Sequence, residues 1–506
     1  MAVTTTNPAT GATRVLDFEE TTSSQVQEIC EQAMDAAEDF AARPLMWRAE
    51  LLRAMASELE LDAEQLVALA DEETALGRPR LEGELRRTCF QFRFFADVVT
   101  DGAFLAASID HAGDSPMGPL PDLRRMKVPM GVVGVFGSSN FPFAFSVPGG
   151  DTASALAAGC PVVIKAHPAH PATSAATFRA LERAALKSGA PQATVNLVHG
   201  FDAGIALVES SHVSAVGFTG SVPAGRSLWQ RANARATPIP FYGELGAANP
   251  LVVTVRAARE RAEEIGKGFA GSMTLGAGQF CTKPGLLFVP TDAAGDGVIT
   301  ALVESLEALG TFVMLSDSVA HNFQVGTASM RSVDTARALV GDVTDEQLRA
   351  SARLFEIDAD DFAAPGAEVL REECFGPVAV VIRYSSYEQL RRALMASERS
   401  LTFSVFNGGD DDESWLVNLG VQRAGRVIVN GFPTGVGVSW SMQHGGPWPS
   451  TTSSNATSVG AASIERWLRP VAFQSVSNTD LPLALREENP LGIPRRVDGV
   501  EVLRRR

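Results

Sequence analysis

Cysteine is scarce. Five thiols, Cys30, Cys89, Cys160, Cys281 and Cys374, are scattered over 506 residues. An odd number at irregular spacing argues against a disulfide framework. No CxxC or interleaved Cys/His spacing marks a metal centre, so no metal is expected. Long apolar runs are missing too. No stretch approaches the ~18 consecutive apolar residues of a membrane span. The opening MAVTTTNPATGATRV has neither the charged leader nor the apolar core of a secretory signal. Positive charge is in deficit, with 43 Lys+Arg against 59 Asp+Glu and a formal net charge of -16. That balance argues against nucleic acid as a partner, though a local basic pocket for a small anion remains open. Internal repeats and long low-complexity linkers are absent. A reducing cytoplasm is the expected compartment, and there a free thiol is available as a nucleophile.

What is present divides into two textures. Residues 24–99 carry apolar side chains at helical spacing, as in SSQVQEICEQAMDAAEDFAA and RAELLRAMASELELDAEQLVALADEE. From Lys127 onward, short apolar runs bounded by Gly and Pro alternate with helical segments. VPMGVVGVFG, PVVIKA, TVNLVHG, VSAVGFTG and PIPFYGELG read as one set of strands. LLFVP, PVAVVIRY, LTFSVFN and GRVIVNG read as a second set, between about Asn249 and His444. Such alternation predicts an α/β protein with mostly parallel sheets and ligands at the strand C-terminal ends. The tail after about Arg466 is rich in Pro and polar residues and reads as an arm lying on another surface, such as a second subunit.

Several short segments carry chemistry. Cys281, in Gly278-Gln279-Phe280-Cys281-Thr282-Lys283-Pro284-Gly285, sits in a Gly/Pro-bounded loop where backbone N–H groups would lower its pKa and bind an oxyanion. A lone cysteine is more often a buried structural residue. Glu244 leaves the end of an apolar strand into a Gly turn, a position for a general base or for a helix cap. Asn140, in Gly137-Ser138-Ser139-Asn140-Phe141-Pro142, is either an oxyanion donor or a turn asparagine. Lys165 closes the strand PVVIKA, within reach of a ribose or phosphate. The turn Gly217–Gly225 follows a strand and opens a helix, so its N–H groups can approach a pyrophosphate, although the spacing is not GxGxxG.

Taken in chain order, the asparagine–Phe–Pro turn, the strand lysine, GFTGS, ELG, the cysteine loop and Glu373-Cys374-Phe375-Gly376-Pro377 resemble the aldehyde dehydrogenase superfamily over nearly the whole chain. A narrower resemblance, to the α-ketoglutarate semialdehyde (2,5-dioxopentanoate) dehydrogenase branch and related NADP-linked enzymes, rests on Ser139–Ser174, GQFCTKPG, GRVIVNGFPTG, HGGPWPSTT, Thr457–Gln474 and NPLGIPRRVDG. The resemblance implies two Rossmann-like parallel-sheet domains and a small bridging β-element. The dinucleotide-binding domain would take 1–112 and 131–246, and the catalytic domain 247–445. The bridge and C-terminal arm would take 113–130 and 446–506. A homodimer or homotetramer is implied.

The roles implied for single residues follow the same resemblance. Cys281 is the nucleophile, Asn140 with the Cys281 N–H holds the oxyanion, and Glu244 activates water against the thioester. Lys165 and Glu373 hold the riboses, and Phe375 packs near the nicotinamide. Gly220 and Ser221 approach the pyrophosphate, and Leu245 lies beside the cofactor. Where many NAD-preferring relatives carry a glutamate, this chain has Pro168. With Lys165, and with His167 and His170 as helpers or ordinary loop residues, that favours NADP over NAD. Phe141 and Phe145 line the substrate tunnel. Arg87 and Gln91 share a helix face, so Arg87 either anchors a substrate carboxylate or pairs with Glu84. His444 either stabilises the thiolate at the substrate mouth or is a loop histidine bonded to backbone. Gly437, where the branch usually has glutamate, and Ser441-Met442-Gln443 depart from the branch pattern. The expected substrate is a small aldehyde, 2,5-dioxopentanoate or a similar aldehyde acid. The rivals are a broad aliphatic/aromatic aldehyde dehydrogenase and a non-catalytic nucleotide-binding or structural protein.

Overall fold

The structure is a computed structural model that describes residues 1–341, 348–408 and 413–503. Four helices, Ser23–Ala42, Leu45–Leu61, Ala63–Thr74 and Arg78–Asp101, fill the N-terminal region as their periodicity predicts. The first is started by a capping box between Thr22 and Gln25 and buries Val26, Cys30, Ala33 and Phe40 along one stripe.

Two parallel sheets follow. The first has five strands in the spatial order 241–244, 213–219, 132–136, 162–165, 195–198, all parallel. Its central strand Val132–Phe136 is buried at every position, the pattern of a strand covered on both faces. The order reverses direction beside this strand, with Val162–Lys165 on one side and Val213–Thr219 on the other. The strand ends there open a crevice of the kind that binds nucleotides. The second sheet has seven strands, in the order 337–340, 353–358, 378–384, 284–290, 249–253, 400–406, 424–429. Only the edge strand Arg337–Val340 runs antiparallel.

A third, five-stranded sheet joins Leu468–Gln474, Leu123–Pro129, Ser108–Asp110, Arg495–Val497 and Val500–Val502. The tail therefore pairs with its own chain: Leu468–Gln474 lies antiparallel to Leu123–Pro129 along its whole length. A strand made from residues this far apart in sequence has no local signal, which is why the sequence reads as an arm in search of a partner. No helix among the described residues is long and apolar enough to cross a membrane.

Candidate active site

A cavity of about 550 Å³ lies where the C-terminal ends of the first sheet face the N-terminal ends of the second. Gly137 and Gly220, just past two strand ends of the first sheet, form part of its wall. Cys281 and Glu373, just ahead of two strands of the second, form the opposite part.

The backbone ahead of Cys281 is unusual. The helix Val255–Thr274 runs into a turn in which Gly276, Ala277 and Gly278 all take positive φ, of 57, 59 and 66°. At Gly278 a Cβ would strike the backbone of Gly376. The turn throws the thiol back over the cavity. Asn249, fully buried, then pins the loop: its Nδ2 donates to the carbonyls of Cys281 (2.8 Å) and Lys283 (3.0 Å), while its Oδ1 accepts from Thr402 N.

Cys281, His444 and Glu244 meet here. Sγ lies 3.5 Å from His444 Nε2 in hydrogen-bonding geometry. Glu244 Oε1 lies 2.8 Å from the same nitrogen, but off the alignment of a hydrogen bond. The other carboxylate oxygen, Oε2, accepts a short hydrogen bond from Ser458 Oγ. His444 is held through its own backbone, its N–H donating to Thr457 Oγ1 (2.8 Å) and its carbonyl accepting from Ser458 N (2.8 Å). Burial pushes the Glu244 carboxyl up, but His444, Ser458 and Cys281 together outweigh it and leave the group below its ordinary range. It is a carboxylate at neutral pH. Burial, reinforced by the Glu244 charge, pushes the Cys281 thiol well up. The sequence reading of a lowered thiol is thus corrected, because burial and the Glu244 carboxylate both disfavour the thiolate.

Asn140 closes the other side. Its Nδ2 donates to Gln279 O at 2.8 Å, which aims the amide at the cysteine loop, and Arg80 holds its carbonyl at 2.6 Å. Phe141 packs against Phe145 and Phe280 at centroid distances of 5.3 and 5.1 Å, and Phe280 directly precedes Cys281.

The rest of the cavity has the features of a dinucleotide groove. Gly220 and Ser221 bring to its wall the N-terminus of helix Val222–Ala234, which has no side-chain cap and so offers free N–H groups to an anion. Lys165, His167 and Pro168 share the wall. Burial brings Lys165 down to about 8, partly countered by Glu20. His170 is fully buried and bonded to Ser138 O and Ser174, so it is neither a helper nor a surface residue but part of the scaffold under the groove. At the far side stand Leu245, Glu373 and Phe375. A Cβ on Gly246 would collide with the Glu373 carboxylate. Burial raises that carboxyl to about 7, against the pull of Lys283 and the Ala247 backbone.

The substrate side is only partly as read from the sequence. Glu84 is occupied by the N–H groups of Phe143 and Ala144, at 2.8 and 2.9 Å. Arg87 instead donates to Val436 O and lies 5.3 Å from the centre of the Phe145 ring, and its Nη1 is buried without a hydrogen-bond partner. Gln91 is buried against Gly150 inside the helical layer and is not among the described residues of the cavity wall. Arg87 is not in that wall either. Arg426, which the sequence reading passed over, clamps the same loop through Pro433 O (2.5 Å) and Gly435 O (3.1 Å). Asn249 and Ser458 were missed as well. Each acts from a strand or loop remote in sequence from Cys281, with no motif of its own, although Ser458 falls within the stretch Thr457–Gln474 noted above.

Comparison with known proteins assigns the class. The chain belongs to the aldehyde dehydrogenase family, whose profile matches residues 1–470, and it is an NAD(P)-dependent enzyme of that family. It is 44% identical over 483 residues to alpha-ketoglutaric semialdehyde dehydrogenase 2 of Azospirillum brasilense, covering 94% of this chain and 91% of that one. It is 38% identical over 488 residues to alpha-ketoglutaric semialdehyde dehydrogenase of Acinetobacter baylyi, covering 96% and 92%. Among solved structures, NADP-dependent glyceraldehyde-3-phosphate dehydrogenase from Bacillus halodurans complexed with NADP shares the fold. Its TM-score is 0.79 at 22% identity, covering 94% of this chain and 96% of that one.

Proposed function

We propose that this enzyme oxidises 2,5-dioxopentanoate, or a similar short aldehyde acid, to the carboxylic acid through a thioester on Cys281. The observation that carries the reading is the meeting of Cys281, His444 and Glu244, beside Asn140, at one end of a cavity with the shape and donors of a dinucleotide site. The two semialdehyde dehydrogenases above supply the substrate class.

In this reading Cys281 gives its proton to His444 Nε2, and the imidazolium formed faces the Glu244 carboxylate. The thiolate attacks the aldehyde carbon, and the Asn140 amide receives the developing oxyanion. The bound dinucleotide supplies the hydride acceptor. Glu244 then takes a proton from water, the hydroxide adds to the thioester, and the acid leaves as the Cys281 sulfur is freed. Lys165, His167 and Pro168 would hold the adenosine ribose end, with Pro168 standing where a glutamate would repel a 2′-phosphate. Gly220 and Ser221 would hold the pyrophosphate, and Leu245, Glu373 and Phe375 the nicotinamide half. NADP is the favoured cofactor and NAD the alternative. Residues 1–112 and 131–246 would form the dinucleotide domain, 247–445 the catalytic one, and 113–130 with 446–506 the bridging element. The bridging sheet, whose outer strands pair with no further strand among the described residues, would complete a homodimer or homotetramer.

Lys165 makes cofactor binding depend on pH. The lysine is a cation below about 8 and loses its proton above that value. The histidines nearby, His167, His170 and His199, are pushed down by burial and stay neutral there. KM for NADP is therefore expected to rise as pH passes through about 8, while KM for NAD changes less. Initial rates with each cofactor on both sides of that pH check it.

The unpartnered Nη1 of Arg87 supports a carboxylate anchor beyond Phe145. Arg87→Ala is expected to raise KM for the aldehyde acid by roughly tenfold or more, the loss of one charge-assisted hydrogen bond. It should leave KM for an uncharged aldehyde of the same length nearly unchanged. Equal effects on both would favour the second reading, a broad aldehyde dehydrogenase. The aromatic group of Phe141, Phe145 and Phe280 is the feature that suits that reading. A panel of both aldehydes with NAD and with NADP, using Cys281→Ala as the blank, tests the whole assignment.

A further inference from the structure

We propose that Cys281, His444 and Glu244 form a zinc site, and that zinc bound there reversibly blocks the enzyme. One ligand atom from each residue, Sγ, Nε2 and a carboxylate oxygen, lies within 4.8 Å of the other two. Zinc bonds of roughly 2.0–2.3 Å in tetrahedral array place neighbouring ligands roughly 3.3–3.7 Å apart. The Sγ–Nε2 separation of 3.5 Å is already within that span. The Nε2–Oε1 separation of 2.8 Å needs to open by about half an ångström, within reach of a small side-chain rotation.

The surroundings fit an ion better than they fit a bare trio. Oε1 has no aligned hydrogen bond to give up, while Oε2 is already oriented by Ser458, as ligating carboxylates commonly are. The His444 backbone is fixed at both its N–H and its carbonyl, while ring Nδ1 is buried without a hydrogen-bond partner. Cys281 is only half-buried and borders the open cavity, which gives the ion an entry path and a fourth position for water. Thiolate, imidazole and carboxylate together select zinc over magnesium or calcium, which want oxygen ligands throughout. The charges also balance: a thiolate and a carboxylate, costly side by side when buried, are neutralised by the dication.

In the binding step the Sγ–H bond breaks, an Sγ–Zn bond forms, and the proton goes to solvent. Glu244 binds as carboxylate and His444 as neutral imidazole, with no change of oxidation state. The sulfur is then unavailable to an aldehyde. No spacing in the sequence marks such a site, because the three residues come from a strand end and two loops far apart in the chain.

The test uses EDTA-stripped enzyme without aldehyde or dinucleotide. Zinc chloride is titrated in, and alkylation of Cys281 by iodoacetamide is followed by peptide mass spectrometry, with the four buried thiols as internal controls. One equivalent of zinc is expected to protect Cys281, EDTA to restore its reactivity, and magnesium or calcium to do neither. Cobalt(II) should give a thiolate charge-transfer band that is lost in Cys281→Ser. In His444→Ala and Glu244→Gln the zinc needed for half protection should rise by roughly tenfold or more. Undiminished alkylation in the wild type, a cobalt band that survives Cys281→Ser, or equal protection in both ligand variants would overturn the proposal. None of these readings needs turnover. An enzyme that binds zinc at Cys281 yet oxidises no aldehyde would therefore sink the catalytic reading alone.

Discussion

Cys281→Ala is expected to lower kcat by roughly 10⁴-fold or more, the scale seen when a covalent nucleophile is removed from a working cluster. No other group in the cluster replaces it. His444 Nε2 and Glu244 can accept protons from the positions they hold but have no acidic nucleophile left to activate. Dinucleotide affinity should stay within about twofold, since the free N–H groups of helix Val222–Ala234 and Lys165 lie away from the sulfur. Reduced-dinucleotide absorbance measures the first quantity and fluorescence titration the second. A variant that retained a tenth of wild-type activity would remove Cys281 from the mechanism.

Glu244→Gln should separate the two halves of the reaction. With the carboxylate gone, nothing at that position takes the proton from water, so deacylation is expected to slow by roughly 10²–10⁴-fold. Thioester formation still proceeds, and rapid mixing should show close to one equivalent of reduced dinucleotide per site, then almost no steady rate. Loss of the burst together with the steady rate would instead assign Glu244 to activation of the thiol. The pH behaviour of the wild type bears on the same point. His444, Ser458 and Cys281 hold the Glu244 carboxyl below its ordinary range in spite of burial. The base therefore stays ionised as pH falls, and deacylation is expected to persist until the medium is more acidic than an ordinary carboxylate would require.

How far the sequence foretold this site depends on the kind of contact. Asn140, Glu244, Lys165, Gly220 and Cys281 each stand at or beside a strand end or a glycine turn, and the alternation of strands and helices predicts which edge those ends share. They meet in one cavity for that reason. Gln91 misled because helical spacing places it on the face of Arg87, while the depth of that face is set by Gly150 on another helix. The thiol's acidity misled because backbone dipoles can be read from a loop, whereas the approach of Glu244 depends on how two sheets abut. Ser458 and Asn249 act entirely across such long-range contacts. The pairing of Leu468–Gln474 with Leu123–Pro129 was hidden for the same cause, since register between distant strands leaves no local trace.

That C-terminal stretch has a consequence for how the enzyme comes into being. His444 and Ser458 lie just ahead of the strand Leu468–Gln474, which is seated only when it meets Leu123–Pro129. A chain still emerging from the ribosome already carries Cys281 but not its histidine, nor the serine that steers Glu244. A polypeptide that stops short of Ser458 is therefore expected to carry the thiol without the partners that complete its cluster.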